Sequence, residues 1–253
     1  MNNRKVLLFI LIICLLLRLV WISIYSPIIL TDDPKAYDSI AKGLIQGEGY
    51  HEELKRAFRP PGYPYFLAAL YSLFGDHPLP VTLVQSILAV FTCLLLFLLG
   101  KRLASERTGL WTAGFFAVYP QFIRYPGNLY VETLFIFLFI FGMVVLFDLI
   151  KNPSNLKSIT AGILFGLSAL VREVTLLMIL PILLWAILMM KGLSDKKQMG
   201  KKLSVFILFF ALTISPWAIR NFFLFHSFVP ISTNGGFNFY MGNNPIATGG
   251  YNP

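Results

Sequence analysis

Residues 80–100 read PVTLVQSILAVFTCLLLFLLG and are followed by Lys101 and Arg102. The run carries no charge and matches the roughly 20 apolar residues a helix needs to cross a bilayer. Similar runs lie on both sides of it. Residues 6–28 are interrupted only by Arg18 and continue without a small-residue cleavage site, so they read as a retained helix rather than a secretory signal. Residues 108–123 and 129–150 flank the turn-rich Arg124-Tyr125-Pro126-Gly127-Asn128. Residues 158–171 and 174–190 flank Arg172-Glu173, and residues 203–219 make a further span. Segment 63–74, YPYFLAALYSLF, is too short to cross and reads as a helix lying in or dipping into the interface. The fold class is therefore an all-α integral membrane protein, one domain over residues 1–253. It has about seven transmembrane helices, with short interfacial helices in the first outer loop.

Composition agrees. The 253 residues are 57% hydrophobic and 13% charged, with a mean hydropathy of +0.71. A soluble domain is about 45–50% apolar and about 25% charged, so this balance rules out a disordered chain and argues against a single soluble globule. Cys14 and Cys93 sit in apolar runs, and His51, His77 and His226 are scattered, so no disulfide framework or histidine-based metal motif appears. The net charge of +9 is spread in short clusters between apolar segments, which suits basic membrane loops and not a nucleic-acid partner.

Those clusters give the orientation. Loops 1–5, 101–107, 151–157 and 191–202 are short and carry Arg4, Lys5, Lys101, Arg102, Arg107, Lys151, Lys157, Lys191, Lys196, Lys197, Lys201 and Lys202. Positive loops favour the cytoplasm, so the N-terminus is placed there, in the cytoplasmic membrane. Residues 29–79, 124–128, 172–173 and 220–253 form the outer set, richer in acids, aromatics and prolines, where chemistry is expected. The chain ends at Tyr251-Asn252-Pro253 in a turn-rich outer stretch, which reads as the N-terminal part of a longer fold.

In the first outer loop, Asp33 before Pro34 is a good helix start, with Tyr37, Ile40, Ala41 and Leu44 at helical spacing and Gly47 ending the run. Asp33 and Tyr37 share a face. Asp33 either caps this helix or presents a working carboxylate. Arg59 opens the rigid turn Arg59-Pro60-Pro61-Gly62-Tyr63-Pro64, where a guanidinium can grip a phosphate at two points or meet ordinary headgroups. Glu132 lies about one turn into the fourth span, and Arg172 pairs locally with Glu132 or Glu173 or faces a ligand. Fourteen residues of the fifth span reach only about 21 Å at about 1.5 Å per residue, short of the roughly 30 Å core, so a cavity is expected at its outer end. Arg220 and Asn221 close the last span. With Arg59 and Arg172, Arg220 makes a set of three arginines suited to an anionic lipid headgroup.

The chain resembles the polytopic C-type glycosyltransferases of the family 39 and protein O-mannosyltransferase group, which includes lipid A aminoarabinose transferases. The matching residues are Asp33-x-x-x-Tyr37, Ala41-x-x-Leu44, Gly47-x-Gly49-Tyr50, Arg59-Pro60-Pro61-Gly62-Tyr63-Pro64 and Val131-Glu132-Thr133. The match continues in Gly166-Leu167-x-x-Leu170-x-Arg172, Pro216-Trp217-x-x-Arg220-Asn221 and the stretch from Val229 to Gly236, reaching Gly242-Asn243-Asn244-Pro245. The resemblance implies an enzyme that takes a sugar from a polyprenyl-phosphate donor to a glycan, lipid or protein acceptor. It makes Asp33 the catalytic acid of the first outer loop. Some relatives use a divalent metal, for which Asp32 and Asp33 are the candidates.

The residues are compatible with that chemistry. A lipid phosphate is a good leaving group, so the main need is a base, Asp33, for the incoming hydroxyl. Base and leaving group on opposite faces of the sugar give inversion. Arg59, Arg172 and Arg220 are the candidates for the phosphate, with Tyr37, Tyr63, Glu132 and Asn221 in support. No Gly-x-Ser-x-Gly elbow and no nucleotide-binding glycine loop appears. The rival readings are a lipid-linked-sugar flippase, which calls for charges at the midplane of several helices, and a non-catalytic membrane assembly subunit.

Overall fold

The computed structural model describes residues 2–25, 32–52, 55–189, 196–245 and 247. Residues 26–31 at the end of the first expected span, residue 190, the loop positions Lys191 and Ser194, and terminal Tyr251-Asn252-Pro253 lie outside them. The described residues are helical with no strand; Glu52 and Lys55 form an isolated bridge. In chain order the helices are α1 (Asn3–Ile24), α2 (Asp32–Ile45), α3 (Gly62–Phe74), α4 (Pro78–Leu103), α5 (Glu106–Val118) and α6 (Pro120–Arg124). A 3-10 turn at Tyr125–Gly127 leads to α7 (Glu132–Lys151), α8 (Asn155–Val171), α9 (Val174–Met189), α10 (Lys196–Phe225) and α11 (Gly235–Gly242).

Four of these helices, α1, α4, α7 and α10, are long and apolar enough to cross a membrane. The other three expected spans are shorter: α5 has 13 residues, α8 has 17 and α9 has 16. Of these, α8 runs from Asn155, held by Lys202, to Val171, which precedes the Arg172 that pairs with Glu132. At one end of the bundle Arg102 pairs with Asp148 at 3.0 Å, and Lys202 donates to Asn155 at 2.6 Å. At the other end Arg59 meets Asp33, Arg172 meets Glu132, and Arg220 donates to the Arg56 carbonyl. The basic loops and the acidic, aromatic loops thus occupy opposite ends.

The break after α5 explains Arg18. Tyr119 is extended and Pro120 has no N–H, so the carbonyls of Phe116 and Ala117 lose their helical donors. Arg18 is fully buried and supplies them, donating to Ala117 at 3.2 Å, Phe116 at 3.4 Å and Cys14 of its own helix at 2.6 Å. A cation at a helix C-terminus is also favoured by the dipole. What looks like an interruption in an apolar run is the cap of a broken helix.

Close packing of α8 on α10 sets the outer site. A Cβ on Gly162 would lie 2.5 Å from the Phe206 carbonyl, and one on Gly166 2.5 Å from Thr213 Cβ. Small residues four apart let the two backbones approach. α3, expected at the interface, is drawn into the bundle: Tyr63, Leu67 and Tyr71 are buried in a cluster with Leu129, Leu134, Leu164 and Val171.

Candidate functional site

α2 starts two residues earlier than an Asp33 cap would require, since that cap makes Pro34 the first helical residue. It begins at Asp32, whose φ is +49°, so Asp33 is the second helical residue. Its side chain goes elsewhere: Oδ1 accepts from Arg59 Nη1 at 2.7 Å, and the side chain is 63% exposed. Oδ2 makes no hydrogen bond among the described residues. Pro34, Tyr37, Ile40 and Ala41 form the buried face, as the spacing predicts.

The turn that carries Arg59 is fixed from two sides. The Tyr50 hydroxyl donates to the carbonyls of Arg59 at 2.8 Å and Pro60 at 3.2 Å. A Cβ on Gly62 would lie 2.9 Å from the Leu170 carbonyl, so only glycine lets α3 start against the end of α8. Arg59 also holds Glu52 at 3.0 Å and lies over the Tyr37 ring at 5.1 Å. Burial pulls the Arg59 pKa down, but the carboxylates of Asp33 and Glu52 outweigh it, and the group is held above the ordinary arginine range. Burial pushes the Tyr37 phenol up to about 12, with Arg59 opposing. Tyr37 is therefore protonated near neutral pH and is no base.

The facing wall comes from α7 and the α8–α9 corner. Glu132 begins α7, where a carboxylate is favoured by the helix dipole. Its Oε1 accepts from Arg172 Nη1 at 2.9 Å, which settles the local pairing in favour of Glu132 over Glu173. Its Oε2 is buried and makes no hydrogen bond among the described residues. Burial raises the Glu173 carboxyl, and Arg172 acts against that.

The remaining sequence candidates lie elsewhere. The Tyr63 hydroxyl is buried and donates to Gln85 at 2.8 Å; its ring meets Tyr37 edge-on at 5.1 Å, so it braces the site from below. Asn221 is buried and donates to the carbonyls of Val229 and Ile231, each at 3.1 Å. It ties the outer segment to α10 and faces no cavity. Arg220 donates to the backbone of Arg56 at 3.1 Å and Tyr50 at 3.3 Å and stacks on Trp217 at 4.3 Å. The three arginines share one end of the bundle but not one pocket.

Arg59, Arg172, Asp33, Tyr37 and Glu132 line a cavity of about 1140 Å³. Asn234, Phe237, Asn238 and Met241 of the 234–242 segment close it from the third side. Five acids (Asp32, Asp33, Glu52, Glu132, Glu173) face three bases (Lys55, Arg59, Arg172). The sequence pointed to an arginine pocket; the structure gives one in which both arginines already hold carboxylates. No cluster of three or more His, Cys, Asp or Glu able to hold a metal occurs among the described residues. A second, apolar cavity of about 650 Å³ is lined by Pro61, Tyr65, Leu134, Leu167, Trp217 and Arg220. Val171 borders both, and the turn passes from one at Pro60 to the other at Pro61.

Glu52, Lys55 and helix α11 were not singled out in the sequence, and Glu173 entered there only as a pairing partner for Arg172. Tyr50 was visible only as the end of the Gly47-x-Gly49-Tyr50 match.

The sequence model of the dolichyl-phosphate-mannose-protein mannosyltransferases matches residues 58–219. No match among curated proteins reaches significance. The structure is similar to the oligosaccharyltransferase of Archaeoglobus fulgidus in its apo form, with a TM-score of 0.72 and 18% identity, over 91% of this chain and 31% of that one. It is also similar to ArnT from Cupriavidus metallidurans bound to undecaprenyl phosphate, with a TM-score of 0.56 and 13% identity, over 88% of this chain and 43% of that one. The chain thus spans less than half the length of either solved structure. At such identities the likeness shows the fold, that of C-type membrane glycosyltransferases.

Proposed function

The chain belongs to the dolichyl-phosphate-mannose-protein mannosyltransferase family, and we propose that it carries the donor site of a membrane glycosyltransferase that uses a polyprenyl-phosphate sugar. The reading places the site on the outer face of the cytoplasmic membrane. One observation carries it: a charged cavity holding Asp33 and Arg59 adjoins an apolar cavity across a single rigid turn. A ligand with a polar head and an isoprenoid tail matches that pair of surfaces. ArnT, which shares the fold, is bound to such a lipid phosphate.

In this mechanism the donor phosphate takes up Arg59 and Arg172, displacing the carboxylates they hold. Released from Arg59, Asp33 accepts the proton of the incoming acceptor hydroxyl at its carboxylate. The hydroxyl oxygen attacks the anomeric carbon from the face opposite the phosphate, the carbon–oxygen bond to the phosphate breaks, and polyprenyl phosphate departs with its charge on the arginines. The anomeric centre is inverted. Arg220, at the apolar cavity, stands at the start of the lipid path and holds the first outer loop to α10.

A flippase is less well supported. It needs ionisable groups along a midplane path, and the deep Arg18 donates through both Nη atoms to the end of α5, its Nε having no hydrogen-bond partner among the described residues. The test is incubation of the protein in nanodiscs with labelled polyprenyl-phosphate sugars and a mixed pool of glycan, lipid and peptide acceptors. Release of polyprenyl phosphate that needs the acceptor supports the reading; binding without any release over many hours contradicts it.

A further inference from the structure

Given the donor reading above, we propose that Asn234, Phe237 and Asn238 form the subsite that holds the sugar ring of the donor and selects it. Two walls of the polar cavity carry the charges. The third, from α11, carries none, and presents two amides, an aromatic ring and Met241. Charged walls suit a phosphate and a proton; a neutral wall of amides and an aromatic ring suits hydroxyls and the apolar face of a pyranose.

The geometry is specific. Asn234 and Asn238 are one turn apart, joined by a backbone hydrogen bond of 2.8 Å, and so present side chains to the same side. Asn234 Oδ1 accepts from Ser232 at 3.0 Å, which orients its amide and leaves its N–H groups for a ligand. The Asn238 amide makes no hydrogen bond among the described residues and brings both donors and an acceptor. A sugar hydroxyl both donates and accepts, so this pair is complementary to it. Phe237 is 44% exposed and packs edge-on against Phe58, with centroids 5.8 Å apart. Phe58 precedes Arg59 in the chain, so this ring contact ties the subsite to the partner of Asp33. Thr233 fixes the same register, its backbone N–H donating to the Ala57 carbonyl at 2.9 Å.

The test is equilibrium binding to the protein in nanodiscs of four probes: polyprenyl phosphate alone, and the same lipid carrying mannose, glucose or 4-aminoarabinose. The parent protein is expected to prefer at least one sugar-bearing lipid over the bare phosphate. Asn238→Ala and Phe237→Ala are each expected to weaken that lipid about tenfold or more, the scale of a lost ligand hydrogen bond or ring contact. Both should leave the bare phosphate within about twofold, which also reports an intact fold. Three results overturn the proposal: no preference for any sugar in the parent, equal losses for sugar-bearing and bare lipid, or unchanged donor affinity with a raised acceptor KM. A parent that binds none of the four, bare phosphate included, contradicts the donor reading itself, whereas sugar preference untouched by both variants sinks only the subsite.

Discussion

Gly62→Ala is a small change with a large expected effect. A Cβ there would lie 2.8 Å from Val171 Cγ2 and 2.9 Å from the carbonyl carbon and oxygen of Leu170. Comfortable carbon contacts begin near about 3.5 Å, so α3 must back away from α8 by about 0.6 Å. The obstacle is backbone and cannot swing aside. Overpacking of this kind costs about 1–3 kcal/mol, and the better helix propensity of alanine offsets about 0.5–1 kcal/mol of it. For a chain of this size the balance, about 0–2.5 kcal/mol, corresponds to a fall in melting temperature of up to about 10 °C. Arg59 stands three residues upstream and must move relative to Arg172, so turnover is expected to drop about tenfold to a hundredfold. Gly200→Ala is the control, since a Cβ there meets nothing within 4 Å. Scanning fluorimetry and turnover in nanodiscs measure both effects. If Gly62→Ala matches the parent in melting and rate, the α3–α8 contact does not position the turn.

Arg172→Lys keeps the charge but loses the planar guanidinium with its several donors, one of which Glu132 now holds, so donor affinity should fall about tenfold while Arg220→Lys acts chiefly by loosening the first outer loop and lowering the melting temperature; equal donor affinity in both variants and the parent contradicts this. Asn221→Ala strips donors from the carbonyls of Val229 and Ile231 and should cost about 1–3 kcal/mol, read as lower thermal stability with donor affinity in the surviving folded protein unchanged. A cysteine at exposed Ser227 should react with an impermeant thiol reagent on intact cells and one at exposed Asn152 should not, against a background of buried Cys14 and Cys93; the reverse labelling overturns the orientation.

The four long helices α1, α4, α7 and α10 were legible because apolar runs of that length leave few alternatives. α2 was legible because Asp-Pro starts a helix and Gly47, with φ +80°, ends it. Other parts of the site left no local signal. Glu52 lies in an irregular loop with no periodicity, and only the fold brings it to Arg59. Tyr63 fits the helical register, but which way its hydroxyl points depends on Gln85, 22 residues away. α11 hides in a stretch rich in Gly and Asn, residues with poor helix propensity. Its end is held by Asn243 and Asn244, whose amides donate to the carbonyls of Phe239 and Tyr240. Arg18 reads as a flaw in a span until Pro120 is seen to strip α5 of its last donors.

The central claim is that the Asp33 carboxylate is the base. Asp33→Asn keeps the shape and can still accept from Arg59, and the ion pair it replaces is 63% exposed on the Asp33 side, so folding should change by no more than about 1 kcal/mol. The amide cannot take the proton of the acceptor. The deciding measurement is the single-turnover rate of polyprenyl phosphate release by Asp33→Asn and by the parent, at equal membrane abundance and saturating donor. A loss of about 10²–10⁴-fold with donor binding retained is expected; a rate within a few-fold of the parent rules Asp33 out as the base.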